Sequence, residues 1–138
     1  MDLLFKNVSI LFHQQRTLIS NSLSKFGIGS GQYIYFLIIH DHSGISQKEL
    51  TARAGVYKAT TAKALKRLME EGIIEKQENE ADRRYFKLHL TEKGRTLISQ
   101  IYESIRAVRA RILAGINDKE AEQFCKLLEK MVYNAEHF

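Results

Sequence analysis

The side chains best suited to chemistry in this sequence are basic, and they lie in two short segments. The first is "KATTAKALKRLMEEG", in which Thr60, Lys63 and Arg67 recur at helical spacing. The second is "ADRRYF", in which Asp82 precedes Arg83 and Arg84. Hydroxyl, ammonium and guanidinium groups donate hydrogen bonds to phosphates and to base edges. Both segments therefore indicate contact with a polyanion.

Small residues in the first segment would allow its backbone to approach a duplex closely. Alanines and threonines fill its first half, so the helix could lie near the floor of a major groove about 12 Å wide. Lys63 can reach guanine or a phosphate, whereas Leu65, Leu68 and Met69 form the stripe expected to be buried. Lys58 lies on the Leu65 side and would contact a phosphate or solvent. The alternative is a solvated basic helix whose alanines reflect helix propensity.

Composition favours one globular, basic domain. The chain has 138 residues, of which 44% are hydrophobic, and its formal net charge is +5 with a pI near 9.4. No apolar run reaches membrane-spanning length, and charges interrupt the first apolar segment, so a cytoplasmic location is expected. A single cysteine, Cys125, fits a reducing compartment.

Other kinds of site receive little support. The glycines of "GIGSG", residues 27–31, lack the lysine and strand of a phosphate loop and predict a helix stop. His40 and His42 have a spacing that separates their rings on a helix, which argues against a metal site. Cys125 lies beside an apolar stripe, where a buried thiol is favoured over a redox sensor. No nucleophile and base stand at useful spacing, so neither an enzyme nor a cofactor is expected.

The order of elements indicates helix, hairpin and helix. Apolar spacing of three and four, with no proline, predicts mainly helix, and the ambiguous run 32–39 is assigned to a buried helix. Ser46, three residues before Glu49, predicts a capping box and a short helix ending at Gly55. A second helix, residues 58–71, stops at Gly72. Together the two short helices predict a helix-turn-helix.

A β-hairpin should follow, with residues 78–86 at its tip. "IIEKQ" and "YFKLHL" read as its strands, with Phe86, Leu88 and Leu90 on one face. Tyr85 and Phe86 would begin the second strand, which anchors the tip to the core. Glu78 and Glu80 have no expected role beyond solubility.

The two ends of the chain predict helices that need a partner. The first helix has two apolar stripes. Thr91 should begin a long helix with a coiled-coil type seam, and Asn117 with Glu120 should begin the last helix. Their apolar surface exceeds what one chain of this size can cover.

These features resemble the multiple-antibiotic-resistance regulator (MarR) family of bacterial transcription factors. The match consists of Asp82, Arg84, Leu90 and Thr91 in "DRRYFKLHLT", joined to "SQKELTARAG" and "LMEEGIIEK". Its specific part covers residues 46–94, although length and element order agree over almost the whole chain.

The resemblance implies a mainly α fold with a small β-hairpin wing, a winged helix-turn-helix joined to a helical dimerisation region. It implies a single domain, 1–138, with a DNA-binding part, 32–90, and a dimerisation part, 1–26 and 91–138. The helix 58–71 would enter the major groove and the wing 78–86 the minor groove. The expected function is that of a homodimeric regulator, a repressor relieved by a ligand, on a pseudo-palindromic operator.

Individual roles carry over to matching residues. Arg84 would enter the minor groove, Asp82 would orient it and Arg83 would contact a phosphate. The alternative is a surface ion pair between Asp82 and Arg84, worth under about 1 kcal/mol. The candidate DNA contacts are Ser46, Gln47, Tyr57, Lys58, Thr60, Thr61, Lys63, Arg67, Asp82, Arg83 and Arg84.

The resemblance also implies a dimer interface and an effector cleft. The candidate dimer residues are Leu4, Val8, Leu11, Ile105, Val108, Ile112, Phe124, Leu128 and Met131. A small phenolic or lipophilic effector would bind between the dimerisation and DNA-binding parts. The candidate lining residues are His13, Arg16, Tyr33, Tyr35 and Phe36, where an aromatic residue also fits the core.

The chain departs from the family pattern in two ways. Tyr57 stands where many relatives have a serine-type cap, and the N-terminal helix lacks the cysteine of hydroperoxide sensors. A second hypothesis is a winged-helix module that binds protein or RNA without recognising operator DNA.

Overall fold

The chain folds as helices around one small hairpin, as a computed structural model describes for residues 2–55 and 57–138. Within these residues the α-helices are α1 (Leu3–Leu23), α2 (Tyr33–Asp41), α3 (Gln47–Ala54), α4 (Lys58–Glu70), α5 (Glu92–Ile112) and α6 (Asp118–Glu136). The strands are β1 (Ile74–Glu78) and β2 (Phe86–Leu90). The predicted mainly α fold with one hairpin is confirmed. No helix among the described residues is long and apolar enough to cross a membrane.

The segment after α1 is a helix stop, as predicted. A short 3₁₀ turn covers Ser24–Phe26, and Gly27 follows in the left-handed region with φ of 73°. The amide of Gly27 donates to the Ser24 carbonyl at 3.0 Å. The ambiguous run after this turn is the helix α2, and its Phe36 and Ile39 are fully buried.

The helix-turn-helix is formed by α3 and α4. The Ser46 hydroxyl accepts the Glu49 amide at 3.1 Å, and Gly55 ends α3 with φ of 67°. The capping box is wrong in its second half, because the Glu49 carboxylate accepts a hydrogen bond from Arg53 Nε at 3.3 Å instead. The predicted end of α4 at Glu71 is one residue too long, since Glu71 is the cap residue.

The hairpin pairs β1 and β2 antiparallel, with Ile74 opposite Leu90. Leu88 joins the hairpin to the loop before α3, since its amide donates to the Ile45 carbonyl at 2.9 Å. Leu88 and Leu90 are buried, but Phe86 and Tyr85 are about half exposed. The predicted start of the second strand at Tyr85 is one residue too early, since β2 begins at Phe86, and this strand meets the core through Leu88 and Leu90.

The core links the helix-turn-helix and the hairpin to the long helices. It contains Leu23, Phe36, Leu50, Leu65 and Ile101, each at most 1% exposed, and α1 packs against α5.

The last helix contributes little to this core. A complete capping box of Asn117 and Glu120 begins α6, as predicted, yet Ala121 is the one buried residue of this helix. Cys125 is exposed, so the prediction of a buried thiol is wrong for the single chain.

Candidate nucleic-acid interface

The exposed face of α4 carries small and basic side chains together. Lys58, Thr60, Lys63 and Arg67 are exposed, and so are the intervening Ala59, Ala62 and Lys66. Arg67 lies 3.6 Å from the Glu71 carboxylate, whereas the three lysines form no ion pair within the described residues. The face therefore presents net positive charge with little side-chain bulk in its first half.

Thr61 belongs to the opposite face, and its prediction as a DNA contact is wrong. Its side chain is 0% exposed and donates from Oγ1 to the Tyr57 carbonyl at 3.3 Å. The Thr51 hydroxyl lies 2.9 Å from both Thr61 Oγ1 and the Gln47 carbonyl, and its single hydrogen can serve one of them at a time. This pair of hydroxyls joins α3 to α4 inside the helix-turn-helix.

Tyr57 stands at the start of α4 and points to solvent. Its side chain supplies no capping hydrogen bond to α4 and is 85% exposed. The departure from a serine-type cap thus replaces a side chain that could accept an α4 amide with an exposed aromatic ring.

The hairpin tip holds Arg84 in a fixed direction. The Asp82 carboxylate accepts Arg84 Nη2 at 2.9 Å, Arg84 Nε at 3.0 Å and the Arg84 amide at 3.1 Å. Tyr85 lies beside the same guanidinium, 5.7 Å from Arg84 Cζ to the ring centroid. The Arg84 side chain is nevertheless 81% exposed, so it is oriented without being covered.

Electrostatics at the tip follow from this contact. The hydrogen bonds from Arg84 lower the pKa of Asp82, and the same contact raises the pKa of Arg84. Both groups therefore stay charged around neutral pH.

Asn79 and Glu78 have roles that the sequence reading missed. Asn79 Oδ1 accepts the amides of Ala81 at 3.0 Å and Asp82 at 3.3 Å, a short side-chain turn typical of asparagine. Glu78 lies 3.5 Å from Arg83 Nε, so the predicted phosphate ligand has a carboxylate neighbour. The position of an asparagine at a predicted hairpin turn could have indicated the role of Asn79.

A cleft of about 500 Å³ between α3, α4 and the hairpin brings several predicted contacts together. Ser46, Gln47, Lys58 and Arg84 line this wing cleft. Lys48 and Lys76 also line it and were missed, because each is a lone lysine in its element. Lys76 Nζ lies 5.5 Å from the Phe86 ring centroid.

A second cavity, of about 460 Å³, lies between α1, α2 and the helix-turn-helix. Its lining includes the predicted effector residues Arg16, Tyr33 and Tyr35, with Ala54 of α3 and Thr60 of α4. The Tyr35 hydroxyl is buried without a hydrogen-bond partner in the described residues. Arg16 Nε donates to Ser30 Oγ at 3.4 Å. Burial raises the pKa of Tyr33.

Two of the predicted effector residues lie elsewhere. Phe36 is fully buried in the core and is not part of the cavity lining, so its effector prediction is wrong. His13 lines an adjoining surface depression together with Arg16.

The predicted dimer residues divide into two groups. Leu4, Val8, Leu11, Phe124 and Met131 are exposed. Ile105, Val108, Ile112 and Leu128 are half-buried, and Ile105 and Val108 already pack against the core. No group of acidic, histidine or cysteine side chains suited to a metal ion occurs in the described part of the chain.

Comparison with known proteins agrees with this geometry. The model of the MarR family matches residues 30–86. The HTH-type transcriptional regulator BilQ of Clostridium symbiosum (strain WAL-14163) is 28% identical over 132 residues, which are 95% of this chain and 92% of BilQ.

Solved structures extend the likeness over the whole fold. A MarR transcriptional regulator from Methanosarcina mazei Go1 has a TM-score of 0.86 and 28% identity, covering 99% of each chain. A putative MarR family regulator from Listeria monocytogenes, solved with 26mer DNA, has a TM-score of 0.87 and 24% identity, covering 97% of this chain and 89% of that one. At this lower identity, the Listeria structure shows that the two chains share a fold.

Fold and surface together define a winged helix-turn-helix transcriptional regulator. The chain is similar to MarR-family transcriptional regulators, both in residues 30–86, which match the family model, and in its fold.

Proposed function

We propose that this protein is a cytoplasmic, homodimeric repressor that binds a pseudo-palindromic DNA operator. The exposed face of α4 lies in the major groove and Arg84 enters the adjacent minor groove, where the narrow groove of A·T-rich DNA attracts a guanidinium. The observation that carries the proposal is the Asp82–Arg84 contact, which directs an exposed guanidinium from a hairpin tip. The Listeria regulator of the same fold, solved with DNA, supports a duplex as the partner.

The proposed contacts belong to two classes. Thr60 and Lys63 lie where they can reach base edges, and Arg84 reads groove shape. Lys58, Arg67 and Arg83 contact phosphates. Ser46 and Gln47 stand at the N-terminus of α3, which faces the sugar-phosphate backbone of the DNA. Lys48 and Lys76 of the wing cleft join the second class, because both are exposed beside Arg84. Thr61 is excluded.

A binding measurement on the promoter of the protein's own gene tests this function. Fluorescence anisotropy should show saturable binding whose affinity falls steeply with salt, as phosphate contacts release counterions. A scrambled duplex of equal length should bind more weakly. Equal affinity for both duplexes would contradict operator recognition, and preference for single-stranded RNA of that length would favour the interaction-module hypothesis.

We infer that the cavity between α1 and α2 binds the effector, a small aromatic or lipophilic acid. Phe12, Ile19 and Ile34 supply apolar walls, while Arg16 supplies a cation and Tyr35 a buried hydroxyl that has no partner among the described residues. A buried donor without an acceptor costs about 1–3 kcal/mol, which a ligand carboxylate would recover. Because Thr60 lines the same cavity, a bound ligand would bias the position of α4.

Benzoate is a suitable probe of this site. It should bind the full chain and weaken operator affinity, and Tyr35→Phe should reduce benzoate binding while leaving operator affinity without ligand unchanged. Tyr102→Phe is the matched control, because Tyr102 does not line the cavity. If Tyr35→Phe and the parent protein bind benzoate equally well, the Tyr35 hydroxyl does not contact the ligand.

A further inference from the structure

A third pocket lies on the other side of the hairpin, away from the wing cleft and the effector cavity. Its volume is about 280 Å³, and it is bordered by α2, the loop after it, both strands and the start of α5. Its lining residues are Ile39, His40, Ser43, Glu75, Gln77, His89, Leu90 and Arg95. Ile39 and Leu90 are buried and form an apolar floor, while the polar members form the rim. We refer to this site as the α2–α5 pocket.

Two opposite charges face the α2–α5 pocket without neutralising each other. Glu75 and Arg95 both line it, yet neither takes part in an ion pair within the described residues. One N–H of Arg95 is already used, because Nη1 donates to the Leu90 carbonyl at 2.9 Å. This bond fixes the guanidinium at the rim and leaves its other N–H groups for a ligand.

The histidine on β2 is also held in place. His89 Nδ1 lies 2.8 Å from Ser43 Oγ, and His89 stands opposite Glu75 in the hairpin register. The ring therefore joins the loop after α2 to the hairpin, and its second nitrogen remains to hydrogen-bond an occupant.

We propose that the α2–α5 pocket binds a small free α-amino acid. Its carboxylate lies on the Arg95 guanidinium in the two-pronged geometry that arginine provides, and its ammonium group lies on the Glu75 carboxylate. Glu75 would repel a simple anion and Arg95 would repel a simple cation, whereas a zwitterion places an opposite charge beside each residue. The Ile39 and Leu90 floor receives a short apolar side chain, and the volume lies just below that of pockets for drug-sized ligands.

This site goes beyond DNA binding and does not depend on it. An occupant would touch α2, the hairpin and α5 together, and so would link the wing to the dimerisation part. Binding itself can be measured without DNA, so its failure would leave the proposed regulator function untouched.

Isothermal titration of the full chain with glycine, serine, valine and leucine tests the proposal. At least one should bind saturably at one site per chain. For valine the matched analogues are isovalerate, which lacks the ammonium group, and isobutylamine, which lacks the carboxylate. Each should bind at least about tenfold more weakly than valine, which corresponds to about 1.4 kcal/mol for the lost charge contact. For another binding amino acid, the analogues lacking its amino or carboxylate group replace these two.

Substitutions at the rim separate a built site from weak surface binding. Glu75→Gln and Arg95→Gln should each weaken the amino acid at least about tenfold, with thermal unfolding followed to confirm folding. Glu103→Gln and Arg106→Gln are the controls, since both are exposed on α5 outside the pocket, and they should bind as the parent does. The proposal is overturned if no amino acid of the set binds saturably, if the analogue without the ammonium group binds equally well, or if Glu75→Gln has no effect.

Discussion

Arg84 is the residue on which minor-groove binding should depend most. Since Asp82 already orients its guanidinium, little side-chain freedom is lost on binding. Arg84→Ala should cost about 1–3 kcal/mol of operator binding free energy, measured by anisotropy, with an unchanged thermal unfolding midpoint. Asp82→Asn keeps the shape but weakens the orienting contact, so its loss should be smaller. Operator affinity equal to that of the parent in Arg84→Ala would exclude the wing contact.

Asp82 also predicts how this contact responds to pH. Hydrogen bonds from Arg84 lower the pKa of Asp82 from its ordinary value of 3.8. The ionised Asp82 carboxylate contributes fully to the contact at pH values above its ordinary pKa. This contribution is lost as the pH falls through the lowered pKa. The affinity ratio between the parent and Asp82→Asn should therefore stay constant from neutral to mildly acidic pH. A ratio that falls within that range would show that Asp82 titrates there.

Thr60 and Thr61 form a natural matched pair. Thr61→Val leaves the Tyr57 carbonyl and the Thr51 hydroxyl with one partner fewer, which should lower the free energy of unfolding by about 1–3 kcal/mol. Thr60→Val, at an exposed site, should leave the free energy of unfolding unchanged and alter operator affinity. Chemical denaturation and anisotropy on both variants measure this difference. Equal unfolding free energies would show that the hydroxyl pair contributes no stability.

The sequence contained the signal that separates these two threonines. Thr61 precedes Leu65 by four residues and Leu68 by seven, which places it on the buried stripe of α4. Its hydroxyl suggested a DNA contact, and nothing in the sequence indicated that Thr51 would offer it a buried partner. Residue type misled the prediction where helical periodicity was correct.

Elements with caps and glycine stops were predictable, whereas contacts between elements were not. Ser46, Thr91 and Asn117 cap the helices they were expected to begin, because an N-cap is a local interaction. The Asn79 turn at the hairpin tip is also local, since Asn79 accepts amides two and three residues further on. How far the strands extend past the core depends instead on tertiary packing, and the apolar alternation of β2 could not show that Phe86 would be half exposed.

The close approach of α5 to the turn between α4 and β1 gives a prediction at the level of elements. A Cβ at Gly94 would clash with the Ile73 backbone carbonyl, which also accepts the Thr91 amide at 2.9 Å. Gly94→Ala should destabilise the fold by about 1–3 kcal/mol, since α5 must shift away from the turn that contains Ile73. Ser99→Ala, at an exposed position of α5, is the control. Thermal unfolding should show a lower midpoint for Gly94→Ala alone, and equal midpoints would mean that α5 tolerates the extra methyl group.

At the scale of the whole molecule, the distribution of apolar surface supports dimerisation. Exposed apolar side chains run along α1 and α6, among them Leu4, Val8, Phe124 and Met131. A helix such as α6, with Ala121 as its one buried residue, has little reason to hold its place in an isolated chain. The sequence predicted this surplus from periodicity alone, although it could not show which residues each chain covers for itself.

Charge on the predicted dimer face should separate the two copies. Phe124→Glu places a carboxylate on an exposed apolar position of α6, and burying it against a second copy would be costly. The molar mass from light scattering should fall from that of two chains to that of one, and operator affinity should drop because two half-sites no longer bind together. Phe86→Glu is the control, since Phe86 is equally exposed but lies on the hairpin. It should leave the mass at that of two chains, and a dimeric Phe124→Glu variant would place the interface away from α6.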